Sequence, residues 1–234
     1  MCETEGWTPL MTACLSDEDD VDRVRELIDA GADVNATTTD DGFTALHATA
    51  MADWREDEDG RMRVLLEADA NKEARANTQA GNEWTPLLLA AAEGYACQVK
   101  TLIEWGADVD VEDELGRTPL MLASAQSLEA QPKILTLLDH GADLQKRCHE
   151  GLTALDHAEE YVSSLKEAIA EMETSKPDEA VLTEEDNQRS EEEDLIEMAQ
   201  YLSGKADHSR ILILQLQKTV DSFDDVIELL RRDD

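Results

Sequence analysis

Thr8-Pro9-Leu10-Met11, Thr44-Ala45-Leu46-His47, Thr85-Pro86-Leu87-Leu88, Thr118-Pro119-Leu120-Met121 and Thr153-Ala154-Leu155-Asp156 are five forms of one phrase. The threonines stand 36, 41, 33 and 35 residues apart. A period in this range marks a stacked-repeat architecture, in which each unit buries its apolar face only against its neighbours. Each position has a physical task. The Thr hydroxyl accepts from an orphan backbone N–H at a helix start. Pro at the first helical position gives up an N–H that has no partner there. The Leu that follows is the first core contact.

Four of the five phrases lead to an apolar run closing in a turn: Leu27-Ile28-Asp29-Ala30-Gly31-Ala32-Asp33-Val34-Asn35, Leu65-Leu66-Glu67-Ala68-Asp69-Ala70-Asn71, Leu102-Ile103-Glu104-Trp105-Gly106-Ala107-Asp108-Val109-Asp110 and Leu137-Leu138-Asp139-His140-Gly141-Ala142-Asp143-Leu144. Gly after the run suits the left-handed residue that ends a helix. Each unit therefore reads as turn, short helix, loop, second helix, turn.

This pattern resembles the ankyrin repeat family, over residues 3–158. The resemblance implies an all-α solenoid of helix-turn-helix units with finger-like turns, and non-covalent protein binding along the concave face and fingers. It implies no chemistry, no cofactor and no metal. Some positions depart from the family. The phrase's His survives only as His47, and Asp69 replaces the turn Gly of the second unit. The fifth unit never reaches its Gly-Ala-Asp turn. It runs on past His157 with Tyr161, Leu165, Ile169 and Met172 at helical spacing, which predicts a capping helix.

Trp7, Phe43 and Trp84 each stand immediately before the Thr of a phrase, in a chain of nine aromatic residues. In the family this place lies at the finger base facing the groove, so the three are expected either to anchor a partner or to brace the fingers. Arg117 and Leu152 continue the line. The third finger carries Asp110, Glu112, Asp113 and Glu114, and the fourth carries Lys146 and Arg147, so opposite charges can pair between neighbouring fingers. The candidate partner-binding residues are Trp7, Asp40, Asp41, Phe43, Asn82, Trp84, Glu112, Asp113, Glu114 and Arg117.

The net charge is −35, with 55 acidic residues against 20 basic. Residues 175–234 carry 17 acidic and 7 basic residues and the repeats carry the rest, so the acidity is not confined to a tail. It describes either a solvated, self-repelling surface or one that attracts a basic protein. Nucleic acid is excluded as a partner, since phosphates would be repelled and no basic stripe exists. No stretch is long and apolar enough for a membrane, and Met1-Cys2-Glu3-Thr4-Glu5 is acidic where a signal peptide is basic. Cys2, Cys14, Cys97 and Cys148 lack metal or redox spacing and read as reduced thiols of a cytoplasmic or nuclear protein. The five histidines form no catalytic constellation.

Two insertions lengthen the second unit. Asp53–Gly60 faintly suggests a calcium loop, but Arg55 would open it and Leu66 would supply its bidentate carboxylate, so it reads as an acidic loop. Asn77–Asn82 lengthens a finger. Three parts follow from the whole pattern: repeats with their capping helix over 1–174, a polar linker over 175–190, and a helical hairpin over 191–234. The hairpin pairs Leu195, Met198, Ala199 and Leu202 with the stripe Leu212, Leu216, Val220, Phe223, Ile227 and Leu230. It is expected to be separable from the repeats, packed on itself, on them, or on another protein. The functional expectation is an adaptor, scaffold or inhibitor. An acidic escort for a basic client, such as a ribosomal protein or histone, is the alternative.

Overall fold

The structure is a computed structural model. It describes residues 6–16, 21–52, 60–77, 83–125 and 130–174, with Asp224, Ile227, Glu228, Leu230 and Arg231. The 175–190 linker, the expected hairpin apart from those five residues, the acidic insertion at 53–59 and residues 78–82 lie outside the described residues.

The fold is all-α. Among the described residues are nine helices and one isolated antiparallel bridge, Ala76 with Trp84. The first helices of the units are α1 (Pro9–Leu15), α3 (Ala45–Met51), α5 (Pro86–Ala92), α7 (Pro119–Ser124) and α9 (Ala154–Thr174). The second helices are α2 (Val21–Asp29), α4 (Arg61–Glu67), α6 (Ala96–Glu104) and α8 (Ala130–Asp139). First helices stack in the order α1, α3, α5, α7, α9, and second helices in the order α2, α4, α6, α8. Between the two layers runs one continuous apolar core from Leu10 and Met11 through Leu46, Leu87 and Leu120 to Ala158 and Val162.

The repeated phrase does what its residues dictate. Thr8, Thr44, Thr85 and Thr118 each accept from the backbone N–H three residues on. Pro9, Pro86 and Pro119 open their helices. The turns after the second helices are left-handed at Gly31, Gly106 and Gly141, with φ of 91°, 82° and 87°. Asp69 takes the same place with φ 59°. A side chain bearing a Cβ is strained there, so Asp69→Gly should raise stability by about 0.5–1 kcal/mol. Urea midpoints of the two proteins measure it.

A set of buried polar side chains, absent from the sequence reading, ties α4, α6 and α8 each to the unit before it. Arg61 is 5% exposed and reaches from α4 to the end of α1, donating to Ser16 O at 2.9 Å. Gln98 reaches from α6 to the end of α3, donating to Thr49 O at 2.8 Å and Ala52 O at 2.9 Å. Its Oε1 accepts from Tyr95 N at 2.7 Å. Lys133, fully buried, reaches from α8 to α5 and donates to Ala91 O at 2.7 Å. The last carbonyls of a helix have no partner within it, and these side chains supply one across the unit boundary. Gln98→Leu keeps the volume but orphans three buried backbone groups, so it should cost about 2 kcal/mol. Denaturant titration against wild type checks this value.

The fifth unit departs from the rest. Its first helix does not stop after two turns but runs unbroken to Thr174. Ala154, Ala158 and Val162 are buried along it, and Tyr161 packs against the core.

Candidate functional site

A finger is a short reverse turn closed at its base by backbone hydrogen bonds. Thr38 N donates to Phe43 O at 2.9 Å, Asp113 N to Arg117 O at 3.1 Å, and Cys148 N to Leu152 O at 3.0 Å. In the second finger Ala76 and Trp84 exchange two bonds, of 3.0 and 2.8 Å. The residue before each Thr is thus the one that closes the finger. At Phe43 and Trp84 its side chain is buried rather than left in solvent.

That geometry corrects the anchor expectation for two of the three aromatics. Trp84 is 2% exposed and Phe43 is buried. Trp84 donates its indole N–H to Asp113 Oδ2 at 3.2 Å, and the Arg117 guanidinium lies over the ring, 5.8 Å from its centroid. Phe43 sits 5.1 Å from the His47 ring and 5.6 Å from Trp7. Trp7 alone of the three is half-buried. Large apolar rings at a closed finger base gain more from covering the next unit than from facing water.

Asp113 is corrected likewise, because it is buried within its own finger. Its carboxylate accepts from the backbone N–H of Leu115 at 2.9 Å and of Arg117 at 2.8 Å. The Arg117 guanidinium donates to it at 2.7 and 2.8 Å. Asp113 and Arg117 therefore build the finger. Asp40, Asp41, Glu112 and Glu114 remain exposed. Asn82 lies outside the described residues.

Two sequence features tie the fingers together. Lys146 of the fourth finger donates to Glu112 Oε1 at 2.6 Å and to Asp110 O at 3.1 Å. The hydrogen bond to Glu112 is the main reason its ammonium pKa is raised. This pairing meets the charge expectation and lessens the share of Glu112 left for a partner. Arg75 was not singled out in the sequence. It donates to Glu83 O at 3.0 Å and Glu112 O at 3.1 Å, clamping the second finger to the third.

Part of the acidity is structural. Asn35 Oδ1 accepts from Asn71 N at 2.7 Å, Glu73 Oε1 from Asp108 N at 3.0 Å, and Asp110 Oδ1 from Asp143 N at 3.0 Å. This ladder joins successive units at the turns. Asp156, standing where the phrase carries His, accepts from the Thr153 amide and hydroxyl, both at 2.8 Å. Those bonds hold its carboxyl below the ordinary range.

His47 keeps the phrase's own network. Its Nδ1 lies 3.2 Å from Thr44 N and 2.8 Å from Thr44 Oγ1, and its Nε2 lies 3.0 Å from Trp84 O. Nδ1 accepts the Thr44 amide, so Nε2 carries the proton that reaches Trp84 O. Burial pushes its pKa down to about 4.

What stands out from this braced frame is the finger crest. Asp40, Asp41, Glu83, Glu112, Glu114 and Glu150 are all exposed along it. Leu115 sits among them at 55% exposure, while its carbonyl is fixed by His149 N at 2.9 Å. Among the described residues no group of three or more His, Cys, Asp or Glu could hold a metal ion. Nor is any helix there long and apolar enough to cross a membrane. The described residues offer an acidic edge with an apolar tip at Leu115.

The family model "Ankyrin repeats (3 copies)" matches residues 1–76, 55–148 and 89–172. The chain is 32% identical over 155 residues to "E3 ubiquitin-protein ligase KEG" of Arabidopsis thaliana, a match covering 62% of this chain and 9% of that protein. It is 30% identical over 141 residues to "Protein phosphatase 1 regulatory subunit 12A" of Mus musculus, covering 53% and 14%. It is 35% identical over 98 residues to "Ankyrin repeat and SAM domain-containing protein 6" of Mus musculus, covering 42% and 11%. The match thus spans a small part of each relative's length.

Proposed function

Since the chain belongs to the ankyrin repeat family, we propose that it acts as an adaptor, scaffold or inhibitor that holds another protein non-covalently along its groove and finger crest. The observation that carries this reading is the division of labour within the fingers. Trp84, Phe43, Asp113 and Arg117 are spent on rigidity, whereas Asp40, Asp41, Glu114 and Leu115 are exposed. A crest fixed before binding loses little freedom when a partner docks, which favours affinity. Leu115 supplies an apolar contact, and the surrounding carboxylates select a partner with complementary charge. The repeats then contribute binding and no chemistry. Cys14, Cys97 and Cys148 form no disulfide, which suits a cytoplasmic or nuclear compartment.

The net charge of −35 favours a second reading, an escort that shields a basic client. Salt separates the two. A charge-based escort loses its client steeply as ionic strength rises, and an adaptor anchored at Leu115 loses it only gradually. The direct test neutralises the exposed crest without touching the finger bases, and follows what the chain captures.

A further inference from the structure

The fifth unit lacks a second helix in its own stretch of sequence, since α9 runs straight through the place where a turn would fall. Ile227 and Leu230, more than sixty residues after the fifth phrase begins, nevertheless belong to the same apolar core, at 7% and 1% exposure. Their neighbours on α9 are fixed by two ion pairs. Asp224 meets Lys166 at 3.6 Å, and Arg231 meets Glu159 at 2.5 Å. Residue numbers rise along one partner as they fall along the other, so the segment lies antiparallel to α9.

We propose that this C-terminal segment supplies the missing second helix of the fifth unit, and that the Glu159–Val162–Lys166 face of α9 is its docking face. The charge order specifies the orientation. Each strand of the pair reads acid then base along the chain: Glu159 then Lys166, and Asp224 then Arg231. Antiparallel docking joins unlike charges at both ends. Parallel docking would set Glu159 beside Asp224 and Lys166 beside Arg231, which repel. The ion pairs are largely exposed and therefore weak and salt-sensitive. Ile227 and Leu230 carry the hold. A cleft of about 580 Å³ lined by Val162, Ser163, Ile227 and Glu228, among others, runs along the contact. The extension is on this view part of the repeat stack, not a separable module.

Hydrogen exchange on the full-length chain tests this. Ile227→Asp should speed amide exchange across the 154–166 part of α9 by about tenfold, and Arg231→Glu by about two- to threefold, since the pair it breaks is exposed. Combining Arg231→Glu with Glu159→Arg should return exchange toward wild type, because the end pair is rebuilt with its signs reversed. Unchanged exchange in Ile227→Asp would overturn the proposal, as would a double variant no better protected than Arg231→Glu alone. Sedimentation distinguishes the source of the segment. A monomer with a protected α9 supports docking within one chain, and a dimer in which the protection depends on concentration contradicts it.

Discussion

Trp84→Ala is expected to remove about 3–5 kcal/mol of stability, the largest loss of any single substitution considered. Trp84 is among the largest fully buried side chains and sits where units two, three and four meet. Its backbone forms the bridge to Ala76, its carbonyl accepts from His47, and its indole N–H reaches Asp113. Truncation leaves a cavity and takes one donor from a buried carboxylate. Trp84→Phe separates the two effects. It retains most of the ring volume, and Arg117 still pairs with Asp113, so the cost should fall to about 1–2 kcal/mol. Denaturant unfolding followed by far-ultraviolet circular dichroism measures both. An anchor on the surface would instead tolerate Ala with little loss of stability, which makes the measurement a check on the corrected role of this residue.

The second large effect is the acid dependence contributed by His47. Its pKa is about 4 in the folded chain and near 6.5 when unfolded. Above pH 6.5 the ring is neutral in both states and its full contribution is present. Between pH 6.5 and 4 the unfolded chain binds a proton that the folded chain refuses, so stability falls with falling pH. The slope tends to 1.36 kcal/mol per pH unit, and the loss reaches about 3 kcal/mol near pH 4. The many carboxylates titrate over part of the same range, so the quantity to follow is the difference from His47→Leu. Leu88 occupies the equivalent place one unit on, and the shape is therefore tolerated. The gap between the two proteins should shift in favour of the variant as pH drops from 7 to 4. A gap independent of pH would mean that His47 titrates normally.

The scaffold was legible in the sequence because its signals are periodic and local. The Thr caps, the helix-opening prolines and the turn glycines each act within a few residues of their own position, and they repeat. Even the exception at Asp69 could be read from register, and its φ of 59° follows. What register cannot tell is the direction in which a side chain points. Trp84 and Phe43 were aligned correctly but leave the surface, because the residue that closes a finger meets the next unit. Asp113 was read as a charge for a partner or for the next finger, yet two backbone amides and a guanidinium beside it are reason enough for a carboxylate to turn inward. Arg61, Gln98 and Lys133 were missed for another reason. Each serves carbonyls in a different unit, 42 to 49 residues away in sequence, and nothing local marks a polar residue near a second-helix start as a cap for a distant helix end. Glu83 is a further case. It stands two residues before its Thr, where Gly6, Gly42, Gly116 and Gly151 stand elsewhere, and it takes the same left-handed turn at φ 53°.

The most direct measurement of the crest as a partner-binding surface is affinity capture with paired baits. One is the wild-type chain. The other carries Asp40→Asn, Asp41→Asn, Glu114→Gln and Leu115→Ser, four exposed positions that leave the finger bases and the Lys146–Glu112 pair intact. Its thermal unfolding should match wild type within about 0.5 kcal/mol, as surface substitutions do. The captured proteins are compared by quantitative mass spectrometry and the binding of each by titration. The expected result is a partner held by wild type and weakened about tenfold or more in the variant. The same partner captured equally by both baits, with equal affinity, would contradict the assignment of binding to the finger crest.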